Sequence, residues 1–480
     1  MSFEDDLATL SLNIDRSIEK PLYLQLAEQI RGLIYNQRLV PGEQLPSSRK
    51  LAELLAISRT STLNAYDQLV AEGLLITRPS SGIFVSALGA AEEGFARMGD
   101  EEPSPPAAGD DSASSAEDHG GFDAGPDVEQ FPFSEWSRSL SRVWKAPDPQ
   151  LLRNTDPGGY VPLRQAVARY VKAVRDIDCR PEQVIITAGS RDALALIAKV
   201  LLQAGDRVAL EDPCYRPLRH GLEAMGATLE SCRVDDEGMT PPGTRVSLAW
   251  MTPARQYPLG VTMSTERRLA WLDYSGRGQC WLVEDDYDSE FQYRKAPLAS
   301  LFSMAAKLFP RDKQQVILVG SFSKVMFSTL RIGYLIVPES LTAAFLLAQR
   351  NLGNLASVPV QPALADFLGH RRFSSHLRLM RRCYQQRRDF LHAILAETLE
   401  TKLVADLPDC GMHLLARFRC PEIDWDDVAI EQRLAEKGVY APALSAHFTN
   451  GGEQGLLLGF SGVSEDSLKR GVRLLTKLCN

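Results

Sequence analysis

The chain has 480 residues, 44% of them hydrophobic and 24% charged, which is too long for one ordinary domain and typical of a water-soluble globular protein. It contains no run of eighteen apolar residues, its first six residues are acidic where a secretory leader would be basic, and its eight cysteines are scattered without a C-x-x-C pair. A membrane span, a signal peptide, a zinc site and a disulfide framework are therefore not expected, and a reducing cytoplasm is. The net charge of −8 taken alone disfavours nucleic acid, but residues 89–129 hold twelve acids and one base.

In chain order, Leu22, Leu26, Ile30, Leu33 and Ile34 recur at helical spacing and predict a first helix over 22–36. Pro41-Gly42 reads as a turn. Ser47 or Ser48 caps a second helix carrying Leu51, Leu54 and Leu55, and a third helix over Arg59–Glu72 points Leu63, Tyr66 and Leu69 inward before Gly73 stops it. Residues 77–85 predict two short strands around a tip containing Gly82. This is a helix-turn-helix followed by a wing. Its third helix opens on Ser58-Arg59-Thr60-Ser61-Thr62, small or basic hydrogen-bonding residues placed where base edges and phosphates are met. Residues 16–88 carry eight bases and six acids, so the expectation of double-stranded DNA rests on geometry and not on bulk charge.

Residues 87–130 are rich in Gly, Pro, Ala, Ser, Asp and Glu without apolar periodicity, and are expected to form an acidic flexible linker between a DNA-binding domain over 1–86 and a large domain over 131–480. In the large domain, strands are expected over Gln183–Thr187, Arg207–Leu210, Val246–Trp250, Cys280–Val283, Gln315–Val319 and Arg331–Val337. Several are apolar on both faces and are separated by helical stretches. The fold class expected is α/β, a mostly parallel sheet with crossover helices and a smaller C-terminal subdomain from about residue 360. Chemistry-bearing residues gather just after the strand ends, where open α/β sheets bind ligands.

The sharpest cluster is Gly320-Ser321-Phe322-Ser323-Lys324, with Arg331-Ile332-Gly333-Tyr334 following. A lysine just past a strand, flanked by hydroxyls and a guanidinium, suits a Schiff base with an aldehyde whose phosphate those groups hold. The cofactor expected is pyridoxal 5'-phosphate (PLP), with Lys324 as the condensing amine and Ser321, Ser323 and Arg331 on the phosphate. Backbone donors of Gly189, Ser190 and Arg191, at a strand-to-helix turn, complete the phosphate cup. Asp285 is placed to pair with the pyridinium nitrogen, Tyr287 to reach the phenolate oxygen, and Tyr215 to stack on the ring.

Both halves carry family resemblances. Pro21-Leu22-Tyr23-x-Gln25-Leu26, Pro41-Gly42-x-x-Leu45-Pro46-Ser47-Ser48-Arg49-x-Leu51-Ala52, Ser58-Arg59-Thr60 and Tyr66-x-x-Leu69-x-x-Glu72-Gly73 resemble the GntR-type winged helix. That resemblance implies DNA contacts by Arg49, Ser58, Arg59, Thr60, Ser61 and the Gly82 tip. Asp285-Asp286-Tyr287-Asp288-Ser289-Glu290-Phe291, Ser321-x-Ser323-Lys324-x6-Arg331 and Arg378-x-x-Arg381-x-x-Tyr384-x-x-Arg387-Arg388 resemble the fold-type I, aspartate aminotransferase-like PLP proteins. The fusion is similar to the MocR/GabR subfamily of GntR transcription regulators. It implies a PLP-dependent bacterial regulator whose large domain senses an effector and dimerises head-to-tail.

The chain departs from the resemblance at two places. Tyr257 stands where aminotransferases usually carry the asparagine that meets the phenolate oxygen, and Arg255 stands where many subfamily members have histidine. In the late Arg-x-[Ser/Gly]-Phe motif, Leu457 takes the place of the arginine that binds a substrate carboxylate. Losing that guanidinium removes roughly 2–4 kcal/mol from carboxylate binding. The effector expected is PLP itself, an amine, or an acid held by another arginine such as Arg255. Two other functions stay open: an active aminotransferase carrying a DNA-binding domain, and a scaffold with a vestigial cofactor site.

Overall fold

The computed structural model describes residues 12–15, 20–36, 38–78, 81–86, 121–153, 156–278, 280–294, 298–353, 356–419 and 426–479. The chain divides into two compact units, Met1–Ser115 and Ala116–Asn480. The expected linker lies outside the described residues over 87–120.

In the first unit, helices α1 (Leu22–Tyr35), α2 (Ser48–Leu54) and α3 (Arg59–Ala71) surround a core of Leu26, Ile30, Leu51, Tyr66 and Leu69. Strands β1 (Gln44–Leu45), β2 (Leu75–Arg78) and β3 (Gly82–Val85) form an antiparallel sheet in the order β1-β3-β2. Ser47 and Ser58 cap α2 and α3, accepting from the amides of Lys50 at 3.3 Å and Ser61 at 3.0 Å. Pro79 and Ser80 of the expected wing tip lie outside the described residues.

Tyr66 and Leu69 face inward on α3 as expected, but Leu63 does not. Thr62, Ala65, Tyr66 and Leu69 are buried, an i, i+3, i+4, i+7 stripe, while Leu63 is 38% exposed. Leu54 of α2 is likewise solvent-facing. The stripe is completed by the wholly buried Thr62 and not by the apolar Leu63. Thr62 Oγ1 is buried with no hydrogen-bond partner.

The second unit is built on an eight-stranded mixed sheet in the order β4-β11-β10-β9-β8-β5-β6-β7. The strands are β4 (Val184–Thr187), β5 (Arg207–Asp212), β6 (Thr228–Asp235), β7 (Gly238–Met239), β8 (Leu248–Met251), β9 (Trp281–Asp286), β10 (Val316–Ser321) and β11 (Gly333–Ile336). Strands β10, β9, β8, β5 and β6 run parallel, and β11 is antiparallel to both β10 and β4. The core lies on both faces. Val184, Ile186, Ala249, Leu282 and Leu318 pack on one face, and Ile185, Leu248, Val283, Ile317 and Val319 on the other. Alternation puts successive side chains on opposite faces, so a sheet covered on both sides reads as a continuous apolar run.

Two expectations change here. The strand expected to begin at Arg331 begins at Gly333, because Arg331 adopts a left-handed backbone (φ 50°) that ends the extended run. The linker does not extend to residue 130. Phe122 is buried against the large core, and Asp127, only 5% exposed, accepts from Arg387 at 2.7 Å. The C-terminal subdomain is the antiparallel sheet β12 (Leu403–Ala405), β13 (His413–Phe418) and β14 (Gly455–Gly459), with helices Arg371–Leu399 and Glu465–Cys479. Among the described residues no helix is long and apolar enough to cross a membrane, and no cluster of side chains could hold a metal ion.

Candidate cofactor site and nucleic-acid interface

In the first unit, Arg49, Ser58, Arg59 and Thr60 are exposed at the N-terminal ends of α2 and α3. Arg49 and Arg59 line one open groove together with Ala52, Glu53, Ala56 and Ile57. Ser61 is half-buried, its hydroxyl 2.8 Å from that of Ser58. Gly82 has φ +114°, and a Cβ there would sit 2.8 Å from Gln44 Nε2, which itself donates to the Ser81 carbonyl at 2.7 Å. The glycine thus lets β3 turn tightly over Gln44. Thr62 does not join this surface. Its side chain is wholly buried beneath α3, so the DNA contact expected of it is withdrawn.

In the second unit the sheet register brings the chemistry to one edge. Asp285 lies opposite Val319, Ser321 opposite Gly333, and Gly333 opposite Thr187. Gly333 lies so close to the β4 turn that a Cβ on it would come within 3.1 Å of Gly189 Cα. Arg331 packs against the other side of that turn, its guanidinium 3.7 Å from where a Cβ of Gly189 would stand. The Ala188 amide donates to Asp192 at 2.8 Å, which shapes the start of the helix Ser190–Leu201, and Ser190 and Arg191 are exposed there. Ser321 Oγ accepts from the Ser323 amide at 3.1 Å. A helix N-terminus, a hydroxyl and a guanidinium around a cradle floored by glycine fit a phosphate dianion.

The ring position is set by β9. Trp250 Nε1 donates to Asp285 Oδ2 at 3.2 Å. Burial raises the Asp285 carboxyl to about 7 against the pull of Trp250, with Asp286 and Asp288 adding to the rise. A carboxyl held this way fits a cationic ring nitrogen, which would restore its ionised form. Burial also raises Glu211 to about 7, although Thr252 and Gln256 donate to it, and Asp288 to about 6, where Arg255 and Lys324 oppose the shift.

Acids whose folded pKa lies above the unfolded value near 4 bind protons more tightly when folded, so stability is lost as pH rises from about 4 through about 7. The melting temperature of the cofactor-free protein is therefore expected to fall between pH 5 and pH 8. A flat or rising profile over that window would refute the assignment.

Lys324 Nζ donates to the Ala124 carbonyl at 2.9 Å. Burial lowers its pKa, Asp288 and Asp123 oppose that, and Arg255 reinforces it. Tyr257 is the centre of an aromatic group, its ring 5.6 Å from Tyr215, 6.0 Å from Tyr287, 5.6 Å from His413 and 5.3 Å from His447, all edge-on. Tyr215 is 44% exposed and stands at the outer rim.

Arg255 does not offer an open guanidinium. It is 2% exposed and donates to Tyr287 Oη at 3.1 Å, Asp288 at 3.3 Å and the His413 carbonyl at 2.8 Å. Burial lowers its pKa, but Tyr287 and Asp288 outweigh that and raise it. Gly411 makes this seating possible, since a Cβ there would fall 2.3 Å from Arg255 Nε. Arg255, expected as an effector residue, is thus engaged with Tyr287, Asp288 and the His413 carbonyl through its two terminal nitrogens, while its buried Nε has no hydrogen-bond partner. Leu457 is buried on β14 with Leu415 and Leu444, and Tyr257, Leu259 and Phe448 pack onto them. Leu457, expected at the usual carboxylate position, is thus part of an apolar wall.

The late-helix motif fastens two chain segments beside the site. Arg381 donates twice to the Glu290 carbonyl, at 3.0 and 2.7 Å. Tyr384 Oη accepts from the Asp127 amide at 2.8 Å, and Arg388 lies over the Tyr293 ring at 4.5 Å. Sequence reasoning places Asp288 within the family motif without a role of its own, and it misses Trp250, His413 and the segment 121–127. Trp250 reads as a core residue, His413 carries no motif, and 121–127 has the composition of the acidic stretch before it. The available signal was Phe122, one of two phenylalanines in residues 87–130.

Residues 22–85 match the bacterial regulatory proteins of the gntR family, and residues 127–248 and 256–473 match aminotransferase class I and II. A probable rhizopine catabolism regulatory protein, MocR, of Rhizobium meliloti is 34% identical, the alignment covering 97% of this chain and 95% of that one. The pyridoxine biosynthesis transcriptional regulator PdxR of Corynebacterium glutamicum is 29% identical over 96% and 97%. Among solved structures, an archaeal alanine:glyoxylate aminotransferase superposes with a TM-score of 0.67 at 25% identity, covering 75% of this chain and 89% of that one. The chain belongs to the gntR family of bacterial regulatory proteins, as a MocR-like member in which the winged helix is fused to an aminotransferase class I and II domain.

Proposed function

We propose that this regulator takes PLP onto Lys324 and reads the presence of the coenzyme itself, in preference to an α-amino acid. When bound, the coenzyme supplies an aldehyde that condenses with an amine and a ring that withdraws electrons. The chain's part is to hold it: Arg331, Ser321, Ser323 and the amides of Gly189, Ser190 and Arg191 for the phosphate, Asp285 steadied by Trp250 for the ring nitrogen, Tyr287 and Tyr257 for the phenolate side, and Tyr215 at the rim.

The observation that carries this reading is the apolar wall at Leu457 together with the commitment of Arg255 to Asp288. A ligand carboxylate arriving there would be desolvated without a paired cation. The name of the Corynebacterium relative, a regulator of pyridoxine biosynthesis, points the same way. The missing carboxylate partner also disfavours efficient transamination, leaving at most a half-reaction. Steady-state turnover with an amino donor and a keto acid would expose it. On family grounds the chain is read as a head-to-tail homodimer bound to double-stranded DNA in the cytoplasm.

The test combines absorbance with binding to the DNA upstream of the protein's own gene. PLP should produce a visible band and change DNA affinity, and common amino acids should do neither. Tight amino-acid binding would overturn the effector assignment. Arg59→Ala is expected to abolish specific DNA binding and leave the PLP band intact, and the affinity of the unsubstituted protein should fall steeply with salt. Loss of both signals together would mean a folding defect, and retention of specific binding would remove Arg59 from the interface.

A further inference from the structure

The segment Gly121–Asp127 crosses the site as a strap fastened at both ends. Upstream, Phe122 is buried, and Gly471 lets the chain pass so closely that a Cβ there would lie 2.9 Å from Gly121 Cα. The Asp123 amide donates to the Gly459 carbonyl at 3.1 Å, and the Gly462 amide donates to the Asp123 carbonyl at 3.0 Å. Downstream, Asp127 is held by Tyr384 and Arg387. Between these anchors two carbonyls are held by side chains: Gly125 O by Ser461 Oγ at 2.6 Å, and Ala124 O by Lys324 Nζ at 2.9 Å.

The atom that condenses with the cofactor is therefore also an anchor of the strap. A lysine ammonium has three donors. Condensation with an aldehyde forms a C=N bond and expels the aldehyde oxygen as water with two of the amine hydrogens, without an oxidant or reductant. At most one N–H then remains for all of its partners, and the hold of this nitrogen on Ala124 O weakens. The strap follows directly on residues 87–120, the stretch that joins the large unit to the winged helix.

We propose that Gly121–Asp127 is a tether that reports the state of Lys324 to the connecting stretch. The free amine holds it down through the Ala124 carbonyl, and covalent engagement of the amine lets it go. This rests on the reading of Lys324 as the cofactor amine and adds the route by which that amine is felt elsewhere in the chain.

Hydrogen–deuterium exchange on the full-length protein tests it, with the winged-helix peptides as internal reference. Without cofactor, the amides of Asp123, Gly125 and Asp127 should exchange slowly. PLP is expected to speed them by about tenfold, and pyridoxine 5'-phosphate, which lacks the aldehyde, should leave them slow. Lys324→Met without cofactor should match the PLP-treated protein, and should it fail to fold, the PLP and pyridoxine 5'-phosphate pair decides. Mass measurement after borohydride reduction of the same samples separates the two layers. Coenzyme fixed at Lys324 with unchanged strap exchange overturns the tether and spares the cofactor reading, and absence of fixation overturns both.

Discussion

Replacing Lys324 with alanine is expected to eliminate the lysine-dependent absorbance band of the PLP-treated protein and all covalent retention after borohydride, while the melting transition of the winged helix is unchanged. Among the described residues of the site, the amine is the group able to make the bond, and its environment prepares it. Burial lowers its pKa, which favours the neutral nucleophilic form, while Asp288 and Asp123 counter part of that. Noncovalent affinity should survive in part, because the phosphate cradle at Gly189, Ser321 and Arg331 is independent of the lysine. A weak, reversible spectral change in the alanine variant therefore agrees with the assignment. An undiminished covalent adduct would place the chemistry on another lysine.

Arg255→Leu is expected to destabilise the large unit by about 3–5 kcal/mol, the range for breaking a buried ion pair by removing one partner. The leucine would leave Asp288 buried beside Tyr287 without its cation. Arg255→Lys should rescue little, because one ammonium cannot span Tyr287, Asp288 and the His413 carbonyl as the guanidinium fork does. Urea unfolding followed by circular dichroism reads this directly. A mild loss of stability coupled to loss of ligand response would restore Arg255 as a ligand-binding residue.

Much of the architecture was legible because both modules speak in short-range patterns. The five central strands of the large sheet lie within a few residues of their expected positions, since each is a compact apolar run flanked by turn residues. The cofactor residues follow from those strand ends, as with Asp285 after β9 and Lys324 after β10. What failed was information that only a third dimension holds. Thr62 and Leu63 exchange places because both lie one turn before Tyr66, at i−4 and i−3, and threonine satisfies the inward side nearly as well as leucine. The antiparallel direction of β11 is invisible in an apolar run, which reads alike both ways. Arg255 looked available because an arginine near a ligand loop usually is. Its partners, Asp288 and the His413 carbonyl, come from segments 33 and 158 residues away. Residues 121–130 read as linker because they share the composition of the acidic stretch before them, and their long-range partners Arg387, Tyr384 and Gly459 cannot be read locally.

The seating of Phe122 and Asp127 also bears on how the protein should be dissected. A fragment begun at residue 131, where composition changes, would open an apolar slot beside Gly471 and leave Arg387 facing a missing carboxylate. It would mimic a ligand-released state by amputation, and spectra or affinities measured on it would describe the damage. Excision just upstream of Gly121 keeps the fastening whole.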